Sequence, residues 1–374
     1  MASFAASTVQ LLEEAVCSTS GQGGLAHGSA AQRPFSGRRP GLGKSLQSGR
    51  SNEKRHTLLA RADARSQDFQ RGGLDFQRAA KLRLDQLVNR VQGDGEQELI
   101  ESMLRSESPE SKLLLGLLSG SIITAGALVV CWLSGSSPAG GAHLSLESVR
   151  AAAVGLLTGA PIAALYAALW TPAARRAFPA LEDMHKAECD PLDALFEGMT
   201  PAQRAAMMIS ETIPMTIMLM PAAQGALTRS FETYAAYLGD MGLAIPGNLP
   251  AALALTTTAA VAGLAKLLEH GISPEEYNAV QSAVQNADKF YRVTSEGQQK
   301  DPATMAKVFK AEAADWVGRQ QLASHIGALL VAFEVAFLGI LWRETGDLAA
   351  PAAAYLLFNG VTVQRRAVYM RRRK

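Results

Sequence analysis

The sequence predicts an all-α fold: a polytopic membrane helical bundle of about six transmembrane helices, with an amphipathic helix ahead of the first span and a helical loop between the fourth and fifth. Three observations carry this expectation. The 374 residues are 48% hydrophobic and only 19% charged. The apolar residues are gathered into blocks of roughly 17 to 23 residues almost free of charge, the length an α-helix needs to cross about 30 Å of hydrocarbon. Lys and Arg alternate between the connecting segments, as they do in a chain inserted repeatedly from one side.

In chain order, Met1 to about Ala62 is rich in Ser, Ala and Gly. It carries Arg33, Arg38, Arg39, Lys44, Arg50, Lys54 and Arg55 against the acids Glu13, Glu14 and Glu53. With no long apolar core, this is transit-peptide composition, and the Ser and Gly content favours the plastid over the mitochondrion. "LLARADARS" is a plausible cleavage region. From Asp63 to Lys112 the character changes. "LDFQRAAKLRLDQLVNRVQ" places Leu74, Phe76, Leu82, Leu84, Leu87 and Val88 near helical spacing among charges. That is an amphipathic helix, expected on the membrane surface or against another extramembrane helix.

The membrane domain spans 113 to 374. Its six apolar blocks are Leu113 to Gly135, Arg150 to Trp170, Ala205 to Leu227, Pro250 to Leu268, Leu322 to Trp342 and Leu348 to Gln364. The loops on one side hold Arg175, Arg176, Lys186 and Arg204, then Lys289, Arg292, Lys300, Lys307, Lys310 and Arg319, then a tail with Arg365, Arg366, Arg371, Arg372, Arg373 and Lys374. The other side has Arg229 and Arg343. Both termini therefore face the insertion side, which is the stroma in a plastid. The net charge of +2 hides this polarity and gives no reason to expect nucleic acid. The terminal "MRRRK" reads as a topology signal and an anchor to lipid headgroups.

Helix starts are legible between the spans. "MTPAQ" offers Thr200 as N-cap with Gln203 at the capping-box position, and "ISPEE" and "KDPAT" repeat the device at Ser273 and Asp301. Residues 269 to 321 are therefore expected to form two helices and to be the first place to look for a protein partner. Cys17, Cys131 and Cys189 are far apart, with no CxxC or CxxH, and support neither a disulfide framework nor a cysteine metal site. No cofactor or metal is implied.

Polar residues inside the spans need a reason, because an ionised side chain at mid-bilayer costs about 2.5 to 3.5 kcal/mol on insertion scales. Glu211 shares "MMISETIPMTIMLMPAAQGAL" with Thr212, Pro214, Thr216, Pro221 and Gln224. The two prolines should break or kink that helix. His325 and Glu334 lie in the fifth block, nine residues apart and so on opposite faces of a helix. Tyr355 and Asn359 lie in the sixth, four apart and so on one face. Two roles are open to these groups: hydrogen bonds between helices, or a water-holding site with Glu211 as general base and Asn359 on an oxyanion.

The end of the chain, "FLGILWRETGDLAAPAAAYLLFN", resembles the closing motif of the CAAX-protease and bacteriocin-processing family, the polytopic intramembrane glutamate proteases. That motif has a basic-acidic-Thr-Gly turn, an apolar-Pro step and then His-x-x-x-Asn. Here Gly339, Thr345, Gly346, Pro351 and Asn359 follow it, and Tyr355 stands at the histidine position. The family's Glu-Glu-x-x-x-Arg motif, laid on "ETIPMTIMLMP", keeps Glu211 and Pro221 but finds Thr212 for the second Glu and Thr216 for the Arg. Its Phe-x-x-x-His motif does not occur, which leaves His325 unassigned. The resemblance implies the membrane fold. The lost acids and bases imply a non-catalytic scaffold or regulator, with a residual protease acting on a membrane protein or prenylated substrate as the alternative.

A softer resemblance, through "FPALEDMHKAECDPLDALFEGMTPAQ" and "LMPAAQGAL", is to the balance-of-chlorophyll-metabolism proteins of thylakoid membranes. It implies a scaffold for enzymes of chlorophyll synthesis and breakdown. A transit peptide makes one direct prediction. Mass spectrometry of the membrane-resident protein should find an N-terminus close to "LLARADARS", and a mature chain beginning at Met1 would contradict it.

Overall fold

Five of the helices described below begin where the sequence supplies a side-chain acceptor for their first free N–H groups. In the computed structural model, Ser108 caps α2 (Pro109–Ser134), Ser145 caps α3 (Leu146–Leu169), and Thr200 caps α5 (Pro201–Asp240) in a reciprocal box with Gln203. Ser273 forms the same box with Glu276 at α7 (Pro274–Gln285), and Asp301 caps α9 (Pro302–Thr345). The remaining elements used below are α1 (76–88), α4 (Pro179–Phe196), α6 (Leu249–His270), α8 (Ala287–Thr294) and α10 (Ala349–Arg373). The structure describes residues 76–88, 90–91, 102–243, 245–294 and 301–373. The expected transit peptide, 1 to 62, lies outside them.

The described residues form an all-α membrane bundle with no strand. Five helices, α2, α3, α5, α6 and α9, are long and apolar enough to cross a membrane. The sixth expected span forms as α10 but is not among these five, because Tyr355, Asn359, Gln364 and the arginines beyond dilute its apolar character. Ala350, Ala354, Tyr355 and Phe358 of α10 are buried in the main core with Met215, Met220 and Leu338. A helix sheltered by its neighbours does not need an apolar surface all round.

Two further boundaries differ from expectation. The third span is not broken at its prolines. Residues Met218–Gln224 widen into a π-helical stretch containing Pro221, and the helix continues to Asp240. A π-turn is one of the recognised ways in which a helix absorbs such a residue. The fifth span does not start near Leu322 either. Its helix begins at Pro302 and runs 44 residues, roughly 66 Å at 1.5 Å per residue and about twice the hydrocarbon thickness. The charges of 307 to 319 disguise what is one continuous helix.

The projecting half of α9 carries a small helical head. Ala80, Leu84 and Val88 of α1 are buried against Val280, Ala287, Tyr291, Ala306, Phe309 and Ala313. Arg83 lies over the Phe290 ring at 3.5 Å and over Phe309 at 4.6 Å, a cation held against aromatic faces. Of the two positions the sequence allows for the amphipathic helix, the structure therefore shows the one against other extramembrane helices. Leu74 lies outside the described residues.

Within the bundle, small residues set the approach of the helices, as expected where lipid removes the hydrophobic drive for association. A Cβ at Gly155 would stand 2.1 Å from the Ala350 carbonyl oxygen, and one at Gly120 2.4 Å from that of Ser210. These are backbone contacts that cannot swing aside. Gly155→Ala should therefore separate α3 from α10 and cost about 1 to 3 kcal/mol, read as a lowered thermal midpoint of the purified protein. Gly126→Ala, where nothing stands within 4 Å of the added carbon among the described residues, should not lower the midpoint.

Candidate functional site

The helices bring their polar faces together around one cavity of about 140 Å³. On α10, Tyr355, Asn359 and Arg366 fall on a common stripe at spacings of four and seven residues, and on α9 Gly327, Leu330, Val331 and Glu334 do the same. Glu211 reaches it from α5, Tyr166 and Trp170 from α3, Lys266 and His270 from the end of α6, and His185 and Glu188 from α4. Trp170, His185, Lys266, His270 and Arg366 lie toward the helix ends that meet the basic loops. Tyr166, Glu211, Glu334, Tyr355 and Asn359 lie further into the bundle.

Glu211 and Asn359, expected to share a site, do line this cavity together with Tyr355. Their bonding differs sharply. The Asn359 side-chain amide donates to Thr212 Oγ1 at 3.2 Å, and its side chain is also hydrogen-bonded to the Tyr355 hydroxyl. Thr212 and Thr216 are buried, and Thr216 Oγ1 donates to the Thr212 carbonyl at 2.7 Å. The threonines at the motif's second-acid and arginine positions thus tie helices and turns together. Glu211 has no hydrogen-bond partner among the described residues.

His325 does not join the site. It is exposed on α9, its Nδ1 lying 2.6 Å from the Gln321 carbonyl one turn back. Glu334, nine residues on, is buried on the other side of the helix, where it accepts a hydrogen bond of 2.9 Å from Tyr166. Apolar-block reasoning missed His270, which lies two residues beyond the expected end of the fourth span. It also passed over Lys266 and Glu188 and counted Arg366 only as part of the basic tail. A signal was present in the spacing: Arg366 lies seven residues from Asn359, and His270 four from Lys266, each pair on one helix face.

The loop end of the cavity is closed by α4. His185 stacks on Trp170 with ring centroids 3.8 Å apart and planes at 13°, and Tyr369 meets Trp170 edge-on at 5.9 Å. Tyr369 and Arg175 both donate to Glu182, at 2.5 and 2.6 Å. Burial pushes the Glu182 carboxyl up, but these bonds outweigh it and hold it below the usual range. Burial likewise works against Glu188, and the nearby charges of Lys266 and Arg366, the latter at 4.0 Å, win and hold it low. Lys266 also faces Glu269 at 3.4 Å. Among the described residues, no group of three or more His, Cys, Asp or Glu is placed to hold a metal ion.

The opposite end is tied by different contacts. Ser148 donates to Asp347 at 2.5 Å, the Trp342 indole donates to the Gly140 carbonyl at 2.9 Å, and Arg343 donates to Thr228 at 2.8 Å. The two sets of connections therefore gather at opposite ends of the bundle, as the alternating charges require. Comparison with family models, with curated proteins and with solved structures finds no match to this chain.

Burial lowers the His185 imidazole to about 4 from an ordinary 6.5. The folded state then binds fewer protons than the unfolded state between those values, so stability is complete above about pH 6.5 and is lost as pH falls toward 4. The full window is worth about 3 kcal/mol. His185→Phe, which keeps a ring against Trp170, should flatten this part of the dependence of the thermal midpoint on pH.

Proposed function

We propose that this chain is a non-catalytic plastid membrane scaffold or regulator, derived from the fold of the intramembrane glutamate proteases, that binds and tunes enzymes of chlorophyll metabolism. It resides in the thylakoid rather than the envelope, with both termini stromal. The observation that carries the reading is the bonding of Asn359. An oxyanion site needs a donor aimed at open space where charge develops. Here the amide is spent on Thr212 of a neighbouring helix and on Tyr355, where the resembled motif has its histidine. The organelle and the enzymes follow from the composition of the first 62 residues and from the softer resemblance.

The head formed by α1, α7, α8 and the projecting half of α9 is the partner surface in this reading. Tyr277 and Val293 are exposed there, 45% and 65%, and their substitution leaves the packed cluster below them intact. Tyr277→Glu with Val293→Glu should abolish co-purification of the stromal partners from solubilised membranes while the protein remains folded. Partners retained by this variant would contradict the surface assigned to them.

A second reading, a residual intramembrane protease, is favoured by one observation: Glu211 lines the cavity with no hydrogen-bond partner among the described residues. Glu211→Gln separates the two. A scaffold keeps its partners and its effect on their activity, whereas a protease loses cleavage of its membrane or prenylated substrate with folding unchanged.

A further inference from the structure

We propose that the cavity is a receptor for a primary ammonium group, bound between Glu211 and Glu334, with a short apolar stem lying along Leu330 and Val331. The inference stands apart from the scaffold reading, which rests on Asn359.

The charges around the cavity lead to it. Its lining holds two cations against three carboxylates, Glu188, Glu211 and Glu334, and the close partners of the cations are neither Glu211 nor Glu334: Lys266 faces Glu269 at 3.4 Å, and Arg366 faces Glu188 at 4.0 Å. Arg366 acts on Glu211 and Lys266 on Glu334 only through space, with no ion pair between them among the described residues. Glu211 and Glu334 sit on different helices, yet both line the one cavity together with Tyr355. Glu334 receives a neutral donor, Tyr166, and Glu211 receives none among the described residues. Carboxylates that outnumber the cations of the low-dielectric space they share are complemented by a bound cation.

A second feature points the same way. His270, whose side chain is 9% exposed, lines the cavity with both ring nitrogens buried and without a hydrogen-bond partner among the described residues, and Glu269 stands 3.8 Å off. An imidazole so placed is an acceptor waiting for a donor at the loop end of the same space. The Tyr166 and Tyr355 rings supply aromatic faces, which favour cations. An engineered cavity of about 150 Å³ holds a molecule the size of benzene, so 140 Å³ suits a short organic amine. The described residues include no three-ligand group for a metal ion.

The test uses the full-length mature protein in lipid nanodiscs, with n-butylammonium as probe, n-butanol as its neutral analogue, and sodium and potassium chloride as inorganic controls. Butylammonium should bind saturably and raise the thermal midpoint, while butanol and the salts should not. Glu211→Gln and Glu334→Gln, which preserve shape, should each weaken binding at least tenfold. Equal responses to amine and alcohol, an equal response to either alkali cation, or undiminished binding by folded Gln variants would each overturn the proposal. If a variant fails to fold, the wild-type comparison of amine with alcohol still decides. Nanodiscs with and without an ethanolamine-headgroup lipid distinguish the source. Weaker apparent probe affinity in the former identifies a lipid headgroup as the ligand, and equal affinity identifies a free amine.

Discussion

The close approach of α3 and α10 is the contact on which the arrangement of the site depends. Gly155 lets the Ala350 backbone come within a distance that no side chain permits, and one turn on Gly159 lies against Ala354 and Phe358. A membrane interior offers little hydrophobic gain for joining two helices, so van der Waals contact at small residues must supply it. Once α10 is seated, its next two turns carry Tyr355 and Asn359 inward rather than toward lipid. A helix too polar to span alone is thereby stabilised by its neighbours.

That seating also explains how polar groups accumulate without wrecking the bundle. Many are bonded across a helix boundary or turned toward the cavity, Thr216 and Thr258 bond a carbonyl of their own helix, and Gln224 is buried with both amide atoms unbonded among the described residues. Asn359 bonds Thr212, Tyr166 bonds Glu334, and Arg366 faces Glu188. The mouth is more tightly knit than the interior: the stack of His185 on Trp170, and the convergence of Tyr369 and Arg175 on Glu182, fasten α4 over it. Glu211 stands apart from this network, which is why both the residual-protease reading and the ammonium site turn on it.

The helices themselves were legible because apolar blocks of membrane length have few alternative uses, and the starts at Thr200, Ser273 and Asp301 because capping needs particular side chains. The extent of α9 was harder to see: Lys307, Lys310 and Arg319 end an apolar block, but nothing among them ends a helix. The same habit hid half the site. Lys266, His270 and Arg366 lie near helix ends, where charges read as boundaries, although their spacing aligns them with the cavity. His325 misled for the opposite reason. It sits within an apolar block, and only the nine-residue offset from Glu334 warned that the two face apart. Thr212 and Thr216 depart from a motif in sequence; the contact of Thr212 with Asn359 arises only from the packing of α5 against α10, and that of Thr216 runs along a turn of α5.

The central claim is that Asn359 joins helices instead of serving chemistry. The most direct measurement is a double-mutant cycle of Asn359→Leu and Thr212→Val, scored by unfolding free energy in a bilayer or mixed micelles. A bonded pair within a membrane gives a coupling of about 0.6 to 1.7 kcal/mol, and the account predicts a value in that range. Strictly additive effects would contradict it.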